Sequence, residues 1–281
     1  MEPRVASPIA GRLIAGYAEY PPPADLAPYV AAFWSRFSPD ELPSNHVHRV
    51  LPDGCVDIVL AFSDSGDAVP LAPAQAIGVG PMTKPMFMRG GGPRLYLGVR
   101  FKPGCAFVAL GIPASDLIDV QMMFDELSAD PSRDLAAIIA ATSDRARLVA
   151  MIDLVRHRLC TPRAVPKSVR AAVRAIVGAN GDLKIALLAA DIGVTRQQLA
   201  RQFATHVGVT PKMLARVMRA QAALARADAA RAAHPHALDW AAIAYELGYY
   251  DQPHFIDDFK ALTGSTPSEW VTPSFAGKPT P

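Results

Sequence analysis

Arg196, Gln197, Ala200 and Arg201 are spaced around two apolar positions, Leu199 and Phe203. Wound as a helix at about 100° per residue, Leu199 and Phe203 share one face and Gln197 and Arg201 fall nearly opposite, with Arg196 and Ala200 beside them. That outward face has the chemistry of base reading. Arginine offers a two-pronged fork to guanine, glutamine pairs with adenine, and alanine lets a backbone approach closely. Thr195, three residues before Gln198, supplies a cap that starts the helix. Lys212 and Arg216 follow in a segment, 184–231, that holds eight bases against two acids, a net of +6. Such a concentration of charge is the footprint expected of phosphate binding.

The elements that must position this face are announced by an internal repeat. Ala189-x-x-x-Gly193 recurs as Ala244-x-x-x-Gly248, Leu199-x-x-x-Phe203 as Phe255-x-x-x-Phe259, and Gly208-Val209-Thr210-Pro211 as Gly264-Ser265-Thr266-Pro267. Each copy reads as a short helix, a glycine turn, a second helix and a glycine stop, with Thr-Pro opening the next helix. This is the helix-turn-helix plan, and two copies in register set it apart from a plain helical repeat. The twins differ in charge, because residues 232–270 hold Lys260 alone against six acids, a net of −5.

Residues 1–131 are of another character, with 17 of the 26 prolines. Val56–Phe62 and Arg94–Phe101 place apolar residues at every second position, which is strand periodicity with one face buried. Pro52-Asp53-Gly54 and Gly90-Gly91-Gly92-Pro93 are turn chemistry, and the second lacks the Lys-Ser/Thr of a phosphate loop. From Pro131 the period becomes helical: Leu135, Ile138 and Ile139, then Leu148, Met151, Ile152 and Val155 predict two amphipathic helices. Residues 161–166 read as a hinge.

Residues 167–270 resemble the DNA-binding domain of the AraC/XylS transcriptional regulators. The resemblance rests on Leu188-Ala189-Ala190-Asp191-Ile192-Gly193-Val194-Thr195, Leu199-Ala200-Arg201-Gln202-Phe203, Glu246-Leu247-Gly248-Tyr249-Tyr250-Asp251-Gln252 and the stop Phe259 to Pro267. It implies two helix-turn-helix units joined by a long helix near Pro211–Arg231, reading successive major-groove faces about 34 Å apart. By position it places Gln197, Ala200 and Arg201 at the base-facing places of the first unit, and Gln252, Pro253, Ile256 and Asp257 at those of the second. Thr195, Arg196, Lys212, Arg216 and Tyr250 complete the expected DNA-binding set. Asp257 departs from the basic residue frequent there, so the first unit is expected to supply most of the affinity.

Leu51 to Asp57 and Gly98 to Gly104 are similar to a domain of unknown function often fused to this module. Other family members carry a cupin-like β-barrel that binds an effector, followed by dimerising helices. The resemblance thus implies an α+β chain. Residues 1–130 are a cupin-like barrel or sandwich for a small-molecule effector, 131–166 a helical dimerisation or linker segment, 167–270 the all-α domain with two helix-turn-helix units, and 271–281 a tail. Trp34, His46, His48, Arg49, Asp57, Tyr96 and Arg100 are candidates for the effector pocket. His46-x-His48 lacks the downstream histidines of a metal site, so no metal and no cofactor is expected.

Cys55, Cys105 and Cys160 form no CxxC pair and read as free thiols. The longest apolar run, Leu135 to Ala141, is far short of the ~20 residues of a membrane helix. Met1-Glu2-Pro3-Arg4 lacks the features of a signal peptide, which predicts a cytoplasmic protein. Double-stranded DNA, RNA polymerase and a second copy of the chain are the expected partners. The leading expectation is a non-enzymatic, effector-controlled regulator that reads specific DNA. Alkyl transfer through Cys55 in DNA repair and effector-free DNA binding are the alternatives, and the first needs an activated thiolate.

Overall fold

The computed structural model describes residues 16–37, 47–62, 73–89, 95–159, 164–233 and 238–270. His46, the turn at 90–93, Cys160, the start of the 161–166 hinge and the 271–281 tail lie outside them. In chain order the elements begin with β1 (Gly16–Tyr20), β2 (Val30–Phe37), β3 (Val47–Val50), β4 (Val56–Phe62), β5 (Pro73–Val79), β6 (Met86–Arg89) and β7 (Leu95–Phe101). After α1 (Ala106–Leu110) come β8 (Gln121–Met123), α2 (Phe124–Leu127), α3 (Pro131–Ala140) and α4 (Asp144–Leu159). The helical half contains α5 (Lys167–Gly178), α6 (Ile185–Ile192), α7 (Arg196–His206), α8 (Pro211–Ala233), α9 (Trp240–Glu246), α10 (Gln252–Thr263) and α11 (Pro267–Trp270). The chain is α+β, an antiparallel β half followed by a helical half.

Six strands form one antiparallel sheet in the order β1-β2-β7-β4-β5-β8, and β3 pairs with β6 as a separate ribbon. The alternation in the sequence decides what each face of the large sheet meets. Ile58, Leu60 and Phe62 of β4 and Leu97, Val99 and Phe101 of β7 are buried in the main core with Leu117, Phe124 and Ile138 from the helical segments. The intervening residues turn to the ribbon. Trp34 pairs across to Gly98, and a Cβ there would come within 2.1 Å of the indole. Only glycine lets that ring lie on the sheet.

Helices α3 and α4 pack on each other, and their buried positions, Leu135, Ile138, Met151, Leu154 and Val155, belong to the chain's own core. That core does not stop at the β half. It runs on through Val169, Ala172, Leu199, Phe203, Val207 and Leu214, so the sheet, the two helices and the first helix-turn-helix share one interior. A second cluster joins Leu51 of the β half to Ala223, Ala227, Leu247, Phe255 and Phe259. Among the described residues no helix is long and apolar enough to cross a membrane.

The repeated glycine stops have a second use. Gly208 sits at φ +86°, and a Cβ on it would meet Pro81 Cγ at 2.6 Å and the Ala114 carbonyl oxygen at 2.7 Å. Its twin Gly264, at φ +77°, faces Pro85 and Phe87 of the β half. The turn that ends each recognition helix is therefore also where that unit docks onto the β domain.

Candidate effector cavity and nucleic-acid interface

In the first unit, Gly193 closes α6 in the left-handed conformation and Thr195 opens α7, its hydroxyl accepting from the Gln198 amide at 3.0 Å. Leu199 and Phe203 are buried, which turns Arg196, Gln197, Ala200 and Arg201 outward. Lys212 is also exposed, on the first turn of α8. In the second unit, Asp251 caps α10 through the His254 amide at 2.8 Å, and Phe255 and Phe259 are buried. Gln252, Pro253 and Asp257 are exposed, Tyr250 stands 94% exposed beside them, and Ile256 is half-buried against its own unit's core.

The opposed charges of the twins resolve into contacts. Asp239, Asp251 and Glu269 accept from backbone amides at the starts of α9, α10 and α11. Glu246 lies 3.4 Å from Arg226, and Asp258 lies 2.8 Å from Arg216. Among the described residues only Asp257, of the six acids, makes neither a cap nor an ion pair. Arg216, expected to bind DNA, is held by Asp258 through both Nε and Nη2. Arg219 lies over the Tyr249 ring, 4.8 Å from its centroid. Arg196, Arg201 and Lys212 remain as exposed cations unpaired with any carboxylate among the described residues.

Between the large sheet and the ribbon lies a partly enclosed cavity of about 150 Å³. Trp34, Asp57, Tyr96 and Arg100 line it from the sheet, and His48 and Val50 from the ribbon. Met86 and Met88 add thioethers from β6, and Gln221 of α8 closes one side. Five of the seven expected residues are thus brought together, Arg49 faces elsewhere, and His46 is not described. Sequence reasoning missed Tyr17, Arg36 and Asp53, which also line the cavity. Arg36 lies two positions beyond Trp34, so strand alternation was signal enough. Gln221 carried no local signal, since only the docking of α8 brings it there.

The polar end of the cavity is a knot of charge. Arg100 reaches Glu19 at 3.1 Å, Asp53 at 3.2 Å and Asp57 at 3.5 Å. Trp34 Nε1 donates to Asp57 Oδ1 at 2.8 Å. Burial works against the Arg100 cation, but Asp57 and Asp53 outweigh it and hold the guanidinium charged. Burial, with Asp53 adding repulsion, outweighs the pull of Arg100 on Asp57 and pushes that carboxyl up to about 7. Burial likewise lifts the Cys55 thiol, with Asp53 and Asp57 adding to it, the opposite of thiolate activation.

The raised Asp57 value fixes a sign for stability. The folded chain holds this proton more tightly than the unfolded one, so the contribution is full below the ordinary value of 3.8 and is lost as pH rises to about 7. Asp57→Asn has no such proton. Its stability relative to the parent is expected to improve by roughly 2–4 kcal/mol between pH 4 and pH 8. Urea unfolding of both proteins at the two pH values checks this, and a difference that stays flat with pH contradicts it.

The ribbon has two faces with different duties. His48 pairs with Met88 and Val50 with Met86, and these four line the cavity. Arg49 pairs with Phe87 on the other face. There the Arg49 guanidinium lies 5.4 Å from the Phe87 ring centroid and 5.2 Å from that of Trp270, and Nη1 donates to Ser265 Oγ at 3.0 Å. Next to the ribbon, Leu51 lines the cavity and packs into the second unit's core, and Gln221 donates to the Pro52 carbonyl at 2.6 Å.

Residues 188–272 match a family model described as a helix-turn-helix domain, of the AraC type, and residues 18–123 match a domain of unknown function (DUF6597). A comparison with curated proteins finds no match. Among solved structures the chain is similar to an apo variant of ToxT from Vibrio cholerae at 12% identity. The match covers 85% of this chain and 96% of that one, with a TM-score of 0.42. It is also similar, at 12% identity, to wild-type ToxT of the same organism with unsaturated fatty acid bound. That match covers 86% of this chain and 95% of the other, with a TM-score of 0.40.

Proposed function

We propose that this chain, which carries an AraC-type helix-turn-helix domain at residues 188–272, is a transcription regulator that reads specific DNA and whose affinity is set by a small molecule in the β-domain cavity. The observation that carries the reading is the two-faced ribbon. One face lines the cavity and the other grips Ser265 and Trp270 at the end of the second unit. A ligand that moves His48, Val50, Met86 or Met88 moves Arg49 and Phe87 with them, because all six sit on the same two hydrogen-bonded strands. Base reading falls to Gln197, Ala200 and Arg201, with Gln252, Pro253 and Tyr250 of the second unit beside the duplex. RNA polymerase and a second copy of the chain are the protein partners this role calls for.

The alkyl-transfer reading lacks its reactive group, since the Cys55 thiol is pushed up rather than down. To test the regulator, the full chain selects DNA from a random pool and binds the winning site in a gel-shift titration. A site-independent affinity sinks the reading. Arg49→Ala, which leaves the cavity lining intact, is expected to change operator affinity several-fold without changing base preference. An unaltered affinity removes the ribbon from the coupling.

A further inference from the structure

We propose that the effector taken by this cavity is a small apolar ammonium ion, a single-ring or short-chain amine, whose charged nitrogen meets Asp57 and Asp53 while its body lies along Trp34. The inference rests on the reading of the cavity as the effector site and names the chemistry that site selects.

Charge balance comes first. Glu19, Asp53 and Asp57 converge on the single guanidinium of Arg100 at 3.1–3.5 Å. Among the described residues three carboxylates surround one cation, so an anionic ligand entering there meets excess negative charge and an arginine already engaged. An ammonium ion supplies what the cluster lacks. Burial is the chief cause that lifts the Asp57 carboxyl, with Asp53 adding to it, and a cation beside it would favour its charged form.

The surrounding surface fits the rest of such a molecule. Trp34 lies against Gly98, its nitrogen fixed by Asp57, with Tyr17 6.0 Å away ring to ring. Aromatic faces next to carboxylates attract organic cations through the ring quadrupole as well as the charge. Val59, Ile77, Met86 and Met88 are apolar, and the two thioethers adapt to irregular shapes. The volume, about 150 Å³, is that of a cavity able to hold one benzene ring.

Among the described residues Arg36 is the other arginine that lines the cavity, and the register separates it from the cluster. It pairs across to Tyr96, which pairs with Ala61, whereas Arg100 pairs with Asp57. Four residues of strand are roughly 13 Å. Arg36 therefore marks the opposite end of the cavity, where an anion would have to sit.

The full chain is titrated by calorimetry with three probes of one skeleton: 2-phenylethylamine, 2-phenylethanol and 3-phenylpropionate. The amine is expected to bind at least ten-fold more tightly than the alcohol, with the carboxylate weakest. Asp57→Asn, which keeps an acceptor for Trp34, should cost the amine ten-fold or more and leave the alcohol unchanged. Asp53→Asn repeats the test should the first variant fail to fold. An alcohol or carboxylate that binds as tightly as the amine overturns the ligand class and leaves the cavity as a binding site. Amine affinity unchanged in both variants overturns the class as well. No binding of any probe at millimolar concentration overturns both the class and the effector cavity. If the amine binds but operator affinity does not move, the class stands and the regulatory reading falls.

Discussion

Arg216→Ala is expected to cost about 3 kcal/mol of unfolding free energy, at the lower end of the ~3–5 kcal/mol lost when a buried ion pair is deprived of one partner. Asp258 is only 5% exposed, between α8 and α10, and its Oδ1 accepts from Arg216 Nε at 2.9 Å. Among the described residues its Oδ2 has no hydrogen-bond partner, with His254 Nε2 3.7 Å away. Without the guanidinium, a carboxylate is left in an apolar seam beside Phe255 and Phe259. The lower end applies because the arginine side chain is itself 30% exposed and water can enter in its place. The double variant Arg216→Met, Asp258→Leu should recover most of the loss, since a matched apolar pair restores the packing without an orphaned charge. Urea unfolding of the three proteins measures this. The same double variant separates two roles for Arg216. If it only clasps α8 to α10, DNA binding survives the swap; if it touches phosphate, binding falls although the fold is intact.

Arg201→Ala should weaken binding to the selected site by ~1–3 kcal/mol, about five-fold to more than a hundred-fold, and relax base preference at the position it reads. Asp257→Ala should cost much less, because a carboxylate near phosphates is repelled. Asp257 is the acid of the second unit left without a cap or ion pair among the described residues, so its charge is felt in full. Lys212→Ala should instead weaken all sites alike and lower the salt slope by about one. Gel-shift titrations at two salt concentrations give all three numbers. If Asp257→Ala weakens binding as much as Arg201→Ala, the division of labour between the units is wrong.

Local periodicity made much of the fold and the site legible in the sequence. The 3.6-residue pattern and its repetition mark α6, α7, α9 and α10, and the two-residue pattern marks β4 and β7, with Asp57, Tyr96 and Arg100 on the face opposite their buried residues. Nearness in sequence groups Arg49 with His48, but adjacent strand residues point to opposite faces, so the pair divides between the cavity and the second unit. The −5 of residues 232–270 reads as repulsion when summed, yet most of it is spent at helix starts and on α8. Asp239 and Asp251 each precede a helix, a signal for capping that a charge count ignores. Gln221 and Leu51 lie out of reach, because their meeting at the cavity joins segments that are 169 positions apart at Pro52 and Gln221.

The shared interior has a thermodynamic consequence. A buried cluster that runs from Phe33 in the sheet to Phe203 in α7 ties the first helix-turn-helix to the β half. Heat and denaturant are then expected to unfold these two parts together. A duplex bound to the helical half lends its free energy to the β half, and a molecule held in the β half steadies the recognition helices before DNA arrives. Severing the chain between the halves would forfeit more than the linker: each piece would have to cover with water what is now oil.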